Sequence, residues 1–280
     1  MIEKSVNIIV LNWNQKKLSL DCLKSLERAT YQNKHIVFVD NGSDDGSANA
    51  VQNYYPNVEI IRSEKNLGYA KGNNFGFKST IQQAVYTIFL NNDTFVDPSF
   101  IEPLINQLEE EPNTIQVVPK IYFADNKDSI WYAGGNANLA FAQINHRGIR
   151  SKDHEKYNLI KEVDYATGCC FCMRTSDFIS LGMFDENFQM YGEDVDLSLK
   201  ARNSGGIITY VPKSQIWHHV SSSIGGKYSF LKWKRKFRSI YKLILKYSNP
   251  LFFPFTFLLL FLNAVSNFII LSLLKIFRIK

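Results

Sequence analysis

Residues 35–47 read HIVFVDNGSDDGS, a short apolar run from Ile36 to Val39 that closes on Asp40 and gives way at once to a turn of Gly, Ser and Asp. Apolar side chains of β-branched and aromatic type, bounded by turn residues, are the pattern of a buried strand. Working outward, VNIIVL (6–11) precedes this run, and VEIIR (58–62), YTIFL (86–90) and TIQVVP (114–119) follow it. Between the first two runs Leu18, Cys22, Leu23 and Leu26 recur at helical spacing, and Phe75, Phe77, Ile81 and Ala84 do so ahead of 86–90. Strands alternating with helices predict an α/β fold, a mostly parallel sheet flanked by helices. Ligands of such open sheets gather at the carboxyl ends of the strands, so the polar residues after each strand carry the functional information.

Those residues are Asn12-Trp13-Asn14, then Asp40 to Ser47, then Asn66-Leu67-Gly68-Tyr69-Ala70-Lys71-Gly72-Asn73-Asn74, then Asn91-Asn92-Asp93. Asp40, at a strand end, is suited to accept a hydrogen bond from a base or ribose, with Asp44 or Asp45 nearby. The same segment also reads as a plain turn that offers Ser47 as a helix N-cap. NLGYAKGNN lacks the GxGxxG pattern and follows the third strand instead of the first, which argues against dinucleotide binding. Gly68 and Gly72 let backbone approach a ligand, and a helix starting there points its N–H groups at negative charge. Lys71 either adds a compensating cation or is solvated. Asp93 stands just past a buried strand, as a turn residue or as a ligand to a hard cation. Mg²⁺ or Mn²⁺ takes only one or two protein carboxylates when substrate phosphates complete its shell.

Further on, FDENFQMYGEDVDLSLKAR (184–202) sets Glu193, Asp194 and Asp196 at the start of a helical pattern. Acids there gain roughly 0.3–1 kcal/mol each from the helix dipole, which could alone account for them. A general base for an attacking hydroxyl also needs a carboxylate on a rigid element, and this cluster supplies one. In WHHVSSSIGG (217–226), His218 or His219 could complete a metal shell or contact phosphate beside a Ser/Gly-rich segment. The stretch from about 121 to 163 is Gly- and Asn-rich and reads as loops and short strands.

The chain has 280 residues, 45% of them hydrophobic, and a net charge of +6. Part of that charge lies in KYSFLKWKRKFRSIYKLILK (227–246), directly before LFFPFTFLLLFLNAVSNFIILSLL (251–274). Basic residues beside an apolar helical segment point to a membrane surface and away from nucleic acid. The apolar run exceeds the roughly 20 residues needed to cross a bilayer. Pro254, Asn263, Asn267 and basic groups on both sides favour an in-plane arrangement slightly over a span. Cys22, Cys169, Cys170 and Cys172 have neither disulfide nor zinc spacing and are expected to be buried thiols. No secretory leader pattern precedes Val6, so the expected location is the cytoplasmic face of the cell membrane.

Taken in order, VNIIVLNWN, VDNGSDDGS, NLGYAKGNN, LNNDT, DYATGCCFCMR, FDENFQMYGEDVDLSLKAR and WHHVSSSIGG resemble glycosyltransferase family 2, within its rhamnosyltransferase-like branch of bacterial cell-surface polysaccharide enzymes. The resemblance covers residues 5 to 245. It implies a GT-A fold, a nucleoside-diphosphate-sugar donor (dTDP-rhamnose by branch), a divalent metal, a glycan acceptor carried on a lipid, and inversion at the anomeric carbon. By motif, Asp40 matches the base-contacting acid, Asp93 the metal-binding end of a DxD whose first acid is here Asn91, and Asp194, beside Glu193, the catalytic base of an ED pair. His218 matches a metal- or phosphate-contacting histidine better than His219. The donor-binding set is then Asn12, Asn14, Asp40, Asn41, Asp44, Asn66, Gly68, Lys71, Gly72, Asn73 and Asn92. The expected division is a nucleotide-sugar-binding half (1–120), an acceptor-binding and catalytic half (121–226) and a membrane-associating tail (227–280). The competing reading is a non-catalytic nucleotide-sugar-binding protein, against which Asp93, Glu193 and Asp194 stand together.

Overall fold

The structure, a computed structural model, describes residues 3–80, 83–188, 190–220 and 230–276, and among these the side chains of 231–232 and 267–276 are outside the description. Four strands form the parallel part of the sheet: β1 (Val6–Asn12), β2 (Lys34–Asn41), β3 (Glu59–Ser63) and β4 (Tyr86–Asn91). β1 lies between β2 and β4, and β3 extends beyond β2, all in parallel register. Strands covered on both faces need continuous apolar sequence, and Val6, Ile8, Ile9, Val10, Val37, Phe38, Val39, Ile88 and Phe89 are all fully buried. The covering helices are α1 (Lys16–Glu27), α2 (Ser47–Tyr54) and α3 (Tyr69–Ser79). α1 buries Cys22, Leu23 and Leu26, as its spacing predicts. α3 ends earlier than expected: Thr80 is already extended, Ile81 is outside the described residues and Ala84 follows the helix.

The second half departs from simple alternation. After β5 (Thr94–Val96) and α4 (Ile101–Glu110) comes β6 (Thr114–Phe123), which continues across the expected boundary at residue 120. It does not pair with β4. Between them lies β11 (Cys170–Arg174), antiparallel to both. β7 (Asn126–Tyr132) pairs with β6, and β8 (Gly135–Asn138) with β9 (Gln143–His146) forms a separate hairpin. β10 (Lys161–Glu162) edges β12 (Ile207–His218), which runs parallel to β6. The large sheet therefore has the order β10-β12-β6-β11-β4-β1-β2-β3. Because β11 reverses between β4 and β6, the carboxyl ends of β1, β2, β3, β4, β6 and β12 share one edge while the amino end of β11 joins them.

α5 (Thr175–Ser180) and α6 (Glu193–Asn203) follow β11. Phe89, Phe178 and Phe184 pack ring to ring at 4.7–5.4 Å between centroids, tying these segments to β4. The four cysteines are free and buried, as expected. At the C-terminus α7 (Phe230–Tyr247) and α8 (Phe253–Ile276) pack on the tip of the β8–β9 hairpin, where Ala142, Ile244 and Leu260 make a small separate core. Among the described residues no helix is long and apolar enough to cross a membrane. Of the run expected from Leu251 to Leu274, the side chains from 267 onward are outside the description.

Candidate active site

The common edge of the sheet is held together by polar side chains from the loops that leave it. Asn12, fully buried at the end of β1, donates to Ser43 Oγ at 3.0 Å and, more weakly, to Asp40 Oδ1 at 3.4 Å. Its own carbonyl oxygen accepts from Ser19 at 2.8 Å and from Asn92 at 2.9 Å. Asn14 takes a left-handed backbone (φ 48°). Its amide donates to Ser43 Oγ at 3.0 Å, while its side chain accepts from the Asp44 amide at 2.9 Å. Asp45 accepts from the Lys16 amide at 2.8 Å and the Ser47 amide at 3.0 Å. The helix cap is thus Gly46 with Asp45 behind it, and Ser47, expected as the cap, is the first helical residue. Of the two acids that follow Asp40, Asp45 is committed to structure and Asp44 is exposed.

The glycine-rich stretch is likewise part scaffold. Asn41 accepts from the Leu67 amide at 2.9 Å and donates to Asn66 Oδ1 at 3.2 Å, and Asn66 accepts from the Gly68 amide at 2.8 Å. A Cβ on Gly72 would come within 2.8 Å of Leu11 Cδ1 and 3.0 Å of Asn41 Nδ2, so this glycine is needed for α3 to approach β1 and β2. Asn73 is buried and bonds back to the Tyr69 carbonyl at 3.1 Å. Of the predicted donor residues, Asn12, Asn41, Asn66, Asn73 and Asn92 have amides engaged within the protein, and Asp44 and Lys71 are exposed. Asp40 is 7% exposed at the rim.

At the ends of β4 and β12, Asp93 Oδ1 lies 3.1 Å from His218 Nε2, and the backbone carbonyl of Asp93 accepts from the His219 amide at 2.8 Å. Both side chains are nine-tenths buried, and His218 Nδ1 has no hydrogen-bond partner among the described residues. His219 turns outward, 3.7 Å from Asp125, so the two histidines are separated by strand alternation. Among the described residues no group of three His, Cys, Asp or Glu side chains could hold a metal. Two ligands, one carboxylate and one imidazole, nevertheless fit a hard cation whose shell is completed by phosphate and water. The Ser/Gly-rich segment 221–226 that follows in sequence is outside the described residues.

The acidic cluster at the start of α6 separates into three roles. Asp196 is fully buried and bonded to Lys246 Nζ at 2.6 Å and the Tyr247 hydroxyl at 2.7 Å, which anchors α7 to α6. Glu193 is 5% exposed, and burial together with the adjacent Asp194 pushes its carboxyl up to about 8. Asp194 is partly exposed and accepts from the Gly168 amide at 2.9 Å and its own helix's Val195 amide at 2.9 Å. Its carboxyl is also raised, by desolvation that these amide bonds partly counter. Ahead of the cluster Tyr191 (φ 71°) and Gly192 (φ 89°) both take left-handed backbone, a strain that fixes the entry of α6.

β11 joins the two centres. The Asn91 amide, at the end of β4, donates to the Cys169 carbonyl at 2.9 Å, and the neighbouring Gly168 amide reaches Asp194. Tyr69 donates to the Gly168 carbonyl, so the glycine-rich stretch buttresses the same turn. The reading of the residues singled out neither Tyr69 nor Gly168. Trp131 and His146 were missed as well: the Trp131 ring meets His218 edge-on at 4.6 Å and His146 at 4.5 Å. His146 is held neutral, its pKa pushed down to about 4 by burial and by the charge of Lys236. Only the loop composition of 121–163 hinted at that wall.

The loops after β1–β3, the acid–imidazole pair at β4 and β12 and the Asp194 carboxylate at the start of α6 thus gather around one edge of the sheet. Among solved structures the chain resembles GalNAc-T7 with UDP, GalNAc and Mn²⁺ (TM-score 0.70, 18% identity, 88% of this chain and 48% of that one). It also resembles TarS of S. aureus (TM-score 0.58, 16% identity, 88% and 40%), so it spans about half or less of either protein. The fold is that of the GT-A glycosyltransferases. Residues 7–182 match the model of Glycosyl transferase family 2, and the chain belongs to that family. Curated relatives include the N-acetylglucosaminyl-diphospho-decaprenol L-rhamnosyltransferase of Mycobacterium tuberculosis, 28% identical over 221 residues, 72% of each chain. Another is the poly-β-1,6-N-acetyl-D-glucosamine synthase of Staphylococcus aureus, 25% identical over 239 residues, 84% of this chain and 53% of that one.

Proposed function

We propose that this glycosyltransferase moves a sugar with inversion from a nucleoside diphosphate onto a hydroxyl of a lipid-linked glycan in cell-surface polysaccharide synthesis. The observation that carries this reading is the Asp194 carboxylate, oriented by the Gly168 amide on the same edge as the Asp93–His218 pair. Similarity to an L-rhamnosyltransferase whose named substrate is a diphospho-decaprenol favours dTDP-rhamnose as donor and a polyprenyl diphosphate-linked acceptor. Asp40 and the exposed parts of the β1, β2 and β3 loops receive the nucleoside.

Asp93 and His218 would hold a Mg²⁺ or Mn²⁺ ion against the donor diphosphate, supplying electrostatic stabilisation as charge grows on the leaving group. Asp194 takes the proton of the acceptor hydroxyl as its oxygen attacks the face of the sugar opposite the leaving diphosphate. Consecutive carboxylates in a buried site titrate as a pair, and keeping the more buried Glu193 protonated leaves the negative charge on Asp194, where the base is needed. The basic face of α7 and the exposed Leu251, Phe252, Phe255, Leu258, Phe261 and Leu262 of the following segment attach the enzyme to the cytoplasmic face of the membrane.

Asp194→Asn tests the reading. With donor, Mn²⁺ and acceptor membranes present, the wild-type chain releases nucleoside diphosphate, and the variant loses about three orders of magnitude of that rate while donor affinity stays within a few-fold. Near-normal turnover in the variant would remove the base assignment. Absence of release by the wild type with every donor tried would favour a binding protein without chemistry.

A further inference from the structure

α7 carries beside the start of α6 a cation that the reaction above does not use. Ser239, buried on the inner face of α7, donates to the Tyr191 carbonyl at 2.6 Å and so docks the helix on the strained turn ahead of Glu193 and Asp194. Lys236 lies three residues earlier, one turn toward the helix N-terminus on the same face. Its Nζ stands 5.4 Å from the centre of the Tyr191 ring. The other lysines of this face act as clamps: Lys242 donates to the Asn187 carbonyl at 2.6 Å and Lys246 bonds Asp185 at 2.9 Å and Asp196 at 2.6 Å. Among the described residues no carboxylate lies within ion-pair distance of Lys236, although its charge acts on Asp194 to one side and on His146 to the other. The side chain is exposed.

From these positions we infer that Lys236 is an acceptor-binding residue that takes a phosphate group of the acceptor and thereby holds the acceptor hydroxyl against Asp194. An ammonium group can donate to glycan hydroxyls, but its charge is matched only by an anion, and a cation beside the base weakens its hold on a proton. An anionic ligand accounts for it, since an accessible ammonium that rests on the Tyr191 ring, with no carboxylate in ion-pair distance among the described residues, is a ready phosphate contact. On the reading above, the donor diphosphate is held by Asp93 and His218. The surroundings continue in the sense of an anionic head with an apolar tail. The β8–β9 hairpin has His146 at its base, and just past its β8 strand the exposed Phe141 ring packs against Phe255 of α8 at 5.8 Å. A polyprenyl diphosphate held at Lys236 would direct its tail along this hairpin toward the exposed apolar side chains of α8.

The inference rests on the transfer reaction proposed above, and binding measurements separate the two. Farnesyl diphosphate and inorganic pyrophosphate are titrated calorimetrically into the full chain in EDTA, so that no cation bridges phosphate to Asp93. Farnesyl diphosphate should bind the wild type, Lys236→Gln should weaken it about ten-fold, Lys236→Arg should restore it to within about three-fold, and Lys234→Gln should leave it unchanged. Inorganic pyrophosphate should show the same order of variants with weaker binding throughout. Unaltered binding in Lys236→Gln would overturn the inference, as would an equal loss in Lys234→Gln or an equal loss of binding to phosphatidylglycerol vesicles, which would assign the lysine to general membrane attraction. Phosphate binding through Lys236 in a chain that transfers no sugar would defeat the transfer reading alone. Transfer with a Lys236→Gln chain of unchanged acceptor affinity would defeat this inference alone.

Discussion

Glu193, Asp194 and Asp196 are equivalent as letters at a helix start, and their partners make them different acids. Asp196 is neutralised by Lys246, Asp194 is oriented by Gly168, and Glu193 keeps its proton up to about 8 because its carboxyl is buried next to Asp194. A carboxyl whose pKa rises from 4.5 unfolded to about 8 folded binds more protons in the native state over that interval. Its favourable contribution is complete below the unfolded value and is lost as pH rises through the folded one. Glu193→Gln, which resembles the protonated form, removes that dependence. Thermal melts between pH 5 and pH 8 should therefore show the wild type losing stability with pH relative to the variant, and parallel profiles would refute the assigned protonation. The acidic cluster itself was legible in the sequence. Motif resemblance singled out Asp194, but the partners that set the three acids apart were not legible, because Lys246 and Gly168 are distant in the chain.

At the scale of elements, α3 shows how closely the glycine-rich stretch is fitted. A Cβ on Gly76 would approach Val39 Cγ2 to 2.3 Å, and Val39 is a fully buried, stiff side chain of β2. Gly to Ala in a helix interior gains about 1 kcal/mol of propensity, and overpacking against a rigid core costs about 1–3 kcal/mol. Gly76→Ala is thus expected to be neutral to destabilising by up to about 2 kcal/mol in urea denaturation, and Val39→Ala in the same chain should reverse the effect of the added methyl. A stabilised single variant would show that α3 stands further from the sheet. The helix pattern there was readable, but its end at Ser79 was not, since Ile81 and Ala84 kept the apolar spacing. β11 escaped reading for a different reason. Its residues, Cys170 to Arg174, are too short and too mixed to signal a strand until β4 and β6 offer both its edges for pairing.

For the whole molecule, the expected boundary at 226 does not follow the packing: α7 belongs to the catalytic half through Ser239 and Lys246, and only α8 projects beyond it. A chain cut at 226 would lose the anchor of α6 along with any membrane contact, so surface changes on α8 are the cleaner probe. Phe255 and Phe261 are 48% and 62% exposed. Replacing both by Ser should move most of the protein from the membrane pellet to the supernatant after a high-salt wash while leaving its melting temperature nearly unchanged, because little buried area is lost. Unchanged pelleting would assign attachment elsewhere. By itself the sequence determined the α/β class, the first four strands, the loops at their carboxyl ends and the family, because buried strands and the turns after them are written in contiguous residues. Only the tertiary structure decided that β11 stands between β4 and β6, that Asp93 pairs with His218, that Gly168 orients Asp194 and that α7 sets Lys236 over the Tyr191 ring. Each of those joins residues far apart in the chain, and their proximity is set by sheet order and helix docking, which no local pattern encodes.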